Sequence, residues 1–265
     1  MKFTKMQGLG NDYLYIFSNE EPKNPSELSI KLSDRHFGAG SDGIIYILPS
    51  TAADYKMRIF NADGSEALMC GNGIRCVGKY LFDKGYINKN EVEIETLSGI
   101  KKLELKIDNK KVKSVTVNMG KSEPQKDVVL NVLNKDYTVK PVSMGNPHAV
   151  IFVNDAENAP LTTVGPKIEH HSFFKNGTNV EFIKVLDKNK LRMRVWERGS
   201  GITLACGTGA CASAMAAIEN GFCEYNSDIS VILDGGTLHI KILNDNTVLM
   251  TGPAEFVYEG EVADD

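Results

Sequence analysis

The chain has 265 residues, a formal net charge of −4, 42% hydrophobic and 24% charged residues. That size allows one large domain or two ordinary ones with a sizeable core. The acidic balance argues against a nucleic-acid partner, and no apolar run approaches a membrane span, so neither nucleic acid nor membrane is expected as a partner.

The opening stretch MKFTKMQGLGND lacks the apolar core of a secretory signal. The five cysteines are an odd number and too few for a disulfide framework. Both points lead us to expect a cytoplasmic protein with free thiols.

In chain order, residues 12–17 and 43–48 read as strands. Between them, Asn24-Pro25 suits a helix start, with asparagine as cap and proline in the first turn. Further strands are predicted at 56–60, 91–96, 103–107 and 112–118. A central helix is predicted over 71–84, because Ile74, Val77, Leu81 and Phe82 recur at helical spacing and Gly85 supplies the stop. The short basic clusters Lys101-Lys102 and Lys110-Lys111-Val112-Lys113 fit hairpin surfaces better than a phosphate site. Residues 120–131 are read as a connection. A second central helix, over 207–220, is so rich in alanine that sheet should enclose it closely.

The chain also resembles itself at an offset of about 135 residues. Leu9-Gly10-Asn11 matches Met144-Gly145-Asn146, and Met57-Arg58-Ile59-Phe60 matches Met193-Arg194-Val195-Trp196. Leu68, Cys70, Gly71 and Gly73 match Leu204, Cys206, Gly207 and Gly209, and Gly85 matches Gly221. We therefore expect two pseudo-symmetric domains, residues 1–118 and 119–252, with the tail 253–265 returning to the first.

Each repeat places a cysteine just before Gly-x-Gly at a helix start, in LMCGNGIRC and LACGTGACA. Helix N-termini carry unpaired N–H groups and a positive dipole end, so a thiolate is favoured there and its pKa can fall from about 8.5 toward neutrality. The same N–H groups can cradle a carboxylate. Two such elements brought to one cleft suit inversion of a carbon stereocentre: one base removes the α-proton and a conjugate acid protonates the other face. Other readings stay open at this point. The spacings Cys70-x5-Cys76 and Cys206-x4-Cys211 are poor for zinc, and C-x-x-C redox spacing is absent. A thiol nucleophile would need a base such as His148. Cys76, Cys211 and Cys223 lack repeat partners and are expected to be buried.

The motifs NADGSEALMCGNGIRC, ERGSGITLACGTGA, QGLGNDY, GNPH and GTNVEF, taken in order over essentially the whole chain, resemble the diaminopimelate epimerase family. The resemblance implies an isomerase that converts LL- to meso-diaminopimelate without a cofactor, for lysine and peptidoglycan precursors in the cytoplasm. It also implies a homodimer and an α/β fold of two similar domains, each a curved mixed sheet around a central helix. It implies that Cys70 and Cys206 are the acid/base pair, assisted by His148 and Glu197. Backbone N–H groups of Gly71-Asn72 and Gly207-Thr208 would hold the reacting carboxylate. Asn11, Asn61, Asn146, Asn179, Glu197 and Arg198 would bind the rest of the substrate. Gly43 stands where some members carry glutamine, which removes one expected contact. A proline or hydroxyproline racemase of the same architecture is the nearest alternative, and a non-catalytic thiol- or metal-binding protein is a more distant one.

Overall fold

The computed structural model describes residues 1–262. It divides into two compact units, one formed by Met1–Val117 with the segment from Gly252 onward, the other by Asn118–Thr251.

In the first unit, β1 (Lys2–Gly8) and β2 (Asn11–Phe17) form an antiparallel hairpin. Then come α1 (Pro25–Ser33), β3 (Gly43–Leu48), β4 (Tyr55–Asn61), the short β5 (Glu66–Ala67) and α2 (Gly71–Asp83). The unit continues with β6 (Glu91–Thr96), β7 (Gly99–Asp108) and β8 (Lys111–Lys121). β2 and β3 are parallel, β3 and β4 antiparallel, β4 and β6 parallel, and β6–β7–β8 form a meander.

Every residue of β3 is buried, the pattern of a strand covered on both faces. Side chains alternate along a strand. Ile44, Tyr46 and Leu48 pack with Leu32 of α1, while Ile45 reaches the start of α2, where its Cδ1 would lie 2.6 Å from a Cβ on Gly73. Each fully buried isoleucine here contributes about 1.5–3 kcal/mol of burial.

The second unit opens with the short β9 (Glu123–Pro124), β10 (Val128–Val132) and β11 (Lys135–Ser143). β12 (Pro147–Phe152), α3 (Leu161–Glu169), β13 (Asn179–Asp187), β14 (Lys190–Glu197), β15 (Gly201–Ile202) and α4 (Gly207–Glu219) follow. β16 (Ile229–Leu233), β17 (Gly236–Ile242) and β18 (Thr247–Gly252) complete it. The pairings repeat those of the first unit: β11–β12 antiparallel, β12–β13 parallel, β13–β14 antiparallel, β14–β16 parallel, then β16–β17–β18 as a meander. Val180 and Phe182 of β13 pack with Leu161, Val164 and Ile168 of α3. The alternation sends Glu181 to the opposite side, toward α4, where its Oε1 would lie 2.7 Å from a Cβ on Gly209. Ala210 through Ala217 of α4 are all buried, so the alanine-rich helix is enclosed.

The last strand, β19 (Glu255–Glu261), pairs antiparallel with β1; tail residues 263–265 lie outside the described part. The central helices begin where expected and end one residue short of the expected positions, followed by Gly85 and Gly221 at φ +81° and +74°. The cap of α1 differs from expectation. Asn24 precedes the helix but takes a left-handed conformation (φ 49°, ψ 48°) and makes no side-chain cap bond; asparagine tolerates that region, and Pro25 at the start has no N–H to be capped. Residues 120–131, read as a connection, hold the end of β8, all of β9 and most of β10. All five cysteines are free thiols, and Cys76, Cys211 and Cys223 are buried. Among the described residues no helix is long and apolar enough to cross a membrane.

Candidate active site

Both cysteines of the repeat are helix N-caps in extended conformation. Cys70 (φ −135°, ψ 116°) accepts from the Gly73 N–H at 3.3 Å, and Cys206 (φ −109°, ψ 106°) accepts from the Gly209 N–H at 3.4 Å. The Gly-x-Gly sequence fits this tightly: a methyl on Gly209 would sit 3.1 Å from the Cys206 sulfur and one on Gly73 3.5 Å from the Cys70 sulfur. The sulfur thus plays the part that serine or aspartate oxygen plays in an ordinary cap.

Around Cys70 the groups are mainly neutral. The thiol donates to Asn11 Oδ1 at 3.3 Å, and Asn11 Nδ2 donates to Asp42 Oδ2 at 2.8 Å. Asp42 therefore sets which end of the amide faces the sulfur. Asp42 and Asp12 are bridged by Arg35, and Lys5 also reaches Asp12. Tyr13 neighbours Asn11 and Cys70, and burial pushes its phenol well up. The Asn72 side chain accepts from the buried Arg75 guanidinium at 3.0 Å. Asn61 ends β4, and its amide donates to Ser65 Oγ at 3.0 Å within a turn. Of the expected first-unit residues, Asn11 touches Cys70 directly, Asn72 follows it in α2, and Asn61 bonds elsewhere.

Around Cys206 the groups are acidic and basic. A chain of contacts runs from the sulfur through Thr208 Oγ1 (3.7 Å) and Asn146 Nδ2 (3.3 Å). It continues from Asn146 Oδ1 to His148 Nε2 (3.2 Å) and from His148 Nδ1 to Glu181 Oε1 (2.7 Å). His148 and Glu181 are completely buried. Glu197 accepts from Thr203, and burial followed by the Glu181 charge raises its carboxyl above the ordinary value. Asn179 ties backbone together: its Nδ2 donates to Pro147 O at 3.2 Å and its Oδ1 accepts from Arg198 N at 2.9 Å. Half the bonding capacity of an amide is thereby used. Arg198 is exposed, donates to Asn176 O, and with Gly145, Asn146 and Gly177 lines an open depression of about 370 Å³.

The expected lowering of the thiol pKa by the helix ends is overturned. Burial pushes the Cys70 thiol above its ordinary value, and the N–H groups of Gly73 and Asn72 and the charge of Arg75 offset this only in part. Burial, then the charges of Glu197 and Glu181, push the Cys206 thiol well up. Desolvation and nearby carboxylates outweigh the dipole of one helix end. Sequence reasoning also missed Tyr13, Asp42, Thr203 and Glu181. The repeat held a signal for the last of these: register puts Ile45 in its place in the first unit.

The duplicated α/β fold with a cap at each central helix defines the class. The overall fold, without regard to the caps, is shared with a probable proline racemase from Agrobacterium radiobacter, at 18% identity and TM-score 0.76 over 100% of this chain and 93% of that one. It is shared too with a Bacillus anthracis phenazine biosynthesis protein, at 15% identity and TM-score 0.82 over 100% and 99% of the two chains. Those likenesses speak to fold alone. Sequence goes further. Residues 3–124 and 141–257 match the diaminopimelate epimerase family. The chain is 52% identical to the diaminopimelate epimerase of Acetivibrio thermocellus over 99% of this chain and 98% of that one, and 49% identical to that of Methanococcus maripaludis over 99% of both. The chain belongs to the diaminopimelate epimerase family.

Proposed function

We propose that this protein interconverts LL- and meso-diaminopimelate by moving protons between the substrate α-carbon and two thiols. The observation that carries the reading is the pair of cysteines, each capping the central helix of its own copy with the same sulfur-to-N–H bond. Family membership supplies the substrate.

In the reaction one cysteine acts as thiolate and takes the α-proton, leaving the electron pair on the α-carbon and its carboxylate. The other thiol gives its proton to the opposite face. The sulfurs end with their protonation states exchanged, so the enzyme is then set for the reverse direction. Backbone N–H groups of Gly71-Asn72 and Gly207-Thr208 stabilise the charge gathering on the carboxylate. The surroundings are unequal: Arg75 draws the Cys70 thiol down, whereas Glu197 and Glu181 hold the proton on Cys206. Cys70 therefore loses its proton more readily. His148 and Glu197 assist beside Cys206. Asn11, Asn61, Asn146, Asn179 and Glu197 bind the amino-acid groups, and Arg198, at the rim of the depression, holds the distal carboxylate.

The setting we infer is the cytoplasm, in lysine and peptidoglycan precursor synthesis, with the protein acting as a homodimer; light scattering on the purified protein tests the last point. Purified protein assayed with LL-diaminopimelate and L-proline side by side tests the substrate. Epimerisation of the first alone is expected. Turnover of proline alone would move the protein to the racemases.

A further inference from the structure

We propose that Glu181 is a positioning residue of this site: it holds His148 by the Nδ1–H and turns Nε2 toward Asn146, next to Thr208 and Cys206. This rests on the reading of His148 as an assisting group in epimerisation.

The geometry is direct. Glu181 Oε1 lies 2.7 Å from His148 Nδ1, and both side chains are fully buried. A carboxylate only accepts, so the proton of this bond belongs to Nδ1. Nε2 is then the nitrogen presented to the Asn146 amide oxygen, 3.2 Å away, at the head of the contacts that end on the Cys206 sulfur; that oxygen also only accepts, so the contact becomes a hydrogen bond when Nε2 carries a proton as well. Without Glu181 both tautomers and both ring orientations would be open. A carboxylate that fixes an imidazole in one tautomer is a recurrent device in sites where the other nitrogen has work to do.

Packing does not account for the residue. Ile45 occupies the matching place in the first unit, paired across its strand with Ile59 as Glu181 is with Val195. Each lies over the second glycine of Gly-x-Gly: Ile45 Cδ1 would be 2.6 Å from a Cβ on Gly73, Glu181 Oε1 2.7 Å from one on Gly209. The fold therefore accepts an apolar side chain at this point. In the second unit it carries a buried carboxylate instead, and its Oε2 has no hydrogen-bond partner. Burying such a group is unfavourable unless it serves a partner. That partner is His148, which takes the place of Tyr13 in the first unit: each sits two residues after the asparagine of its copy.

Glu181→Gln keeps the shape and removes the charge, and Glu181→Ile installs the residue that the first unit already packs. Two readouts are taken: steady-state epimerisation of LL-diaminopimelate, and ¹⁵N NMR of labelled histidine, which reports which ring nitrogen carries the proton. We expect kcat to fall about 10- to 100-fold in both variants, the usual size for a partner that orients a working group, with KM within about threefold. Wild-type His148 should be protonated at Nδ1, and Glu181→Ile, which offers no acceptor, should lose that preference. If Glu181→Ile does not fold, Glu181→Gln decides. Wild-type kcat in the folded variants, or a wild-type His148 protonated at Nε2 alone, overturns the proposal. A wild type that fails to epimerise sinks the proposed function instead, and the tautomer measurement still decides the role of Glu181.

Discussion

The two copies share their strand pairings and a cysteine cap, yet they differ wherever charge can reach the sulfur. The asparagines Asn11 and Asn146 match, but the first copy has Tyr13, Ile45 and Asn61 in the places where the second has His148, Glu181 and Glu197. Arg75, buried in the second turn of α2, has Cys211 as its counterpart in α4. One thiol thus has a cation as its main charged neighbour, and the other has two carboxylates. The duplication supplies the two-fold scaffold that a mirror-image reaction needs. The substitutions within it make the two thiols unequal: burial raises the pKa of both, and the carboxylates beside Cys206 raise that one further.

The largest expected effect comes from breaking what the copies share. Cys70→Ala and Cys206→Ala should each lower kcat about 10²- to 10⁴-fold, the range for loss of a general acid or base, as measured by epimerisation of LL-diaminopimelate. Next come the glycines under the sulfurs. Gly209→Ala places a methyl 2.7 Å from Glu181 Oε1, which His148 holds in place, and should cost about 10- to 100-fold in kcat. Gly73→Ala meets Ile45 Cδ1 at 2.6 Å and should show mainly as lost stability, about 1–3 kcal/mol by denaturant unfolding. Equal kinetic losses in the two variants would weaken the contrast between the copies.

Alkylation sharpens the electrostatic half of the comparison. In wild type, iodoacetamide at pH 8 should modify Cys70 faster than Cys206, as followed by peptide mass spectrometry. Glu197→Gln removes a charge that keeps the Cys206 proton on, so Cys206 should then react several-fold faster while Cys70 is unchanged. The smallest effect concerns Asp12, whose column in the second copy holds Pro147. Burial acts to raise the Asp12 carboxyl, but the hydrogen bonds and charges of Arg35 and Lys5 outweigh it and hold the pKa below the ordinary value. A carboxyl depressed on folding stabilises the protein above its unfolded pKa of about 3.9, and that contribution is lost as pH falls through the folded value. Asp12→Asn should therefore lower Tm slightly at pH 7 and flatten its fall below about pH 4.

What the sequence made legible was local. The offset of the repeat, both cysteine caps and both central helices follow from glycine placement and apolar spacing within a few turns. α3 was given no residue range; Gly165-Pro166 lies inside it, where the glycine admits Trp196, whose Cγ would lie 2.7 Å from a Cβ. β1 was missed as well, and a bulge between Lys5 and Met6 interrupts its pairing with β19. The direction of the thiol shifts could not be read locally, since it depends on carboxylates from β13 and β14 that lie near Cys206 only in the folded unit. Glu181 was present in GTNVEF but had no assigned task until strand alternation turned it toward α4.

That two different thiols serve the two faces of one carbon is tested by a first-turnover isotope measurement in D2O. LL-diaminopimelate is converted to a few per cent, and substrate and product are separated and analysed by mass spectrometry. Two thiols predict product that carries solvent deuterium at the inverted carbon, while recovered substrate stays unlabelled. Product that keeps the original hydrogen would mean that a single group carries the proton from face to face, and would contradict the account.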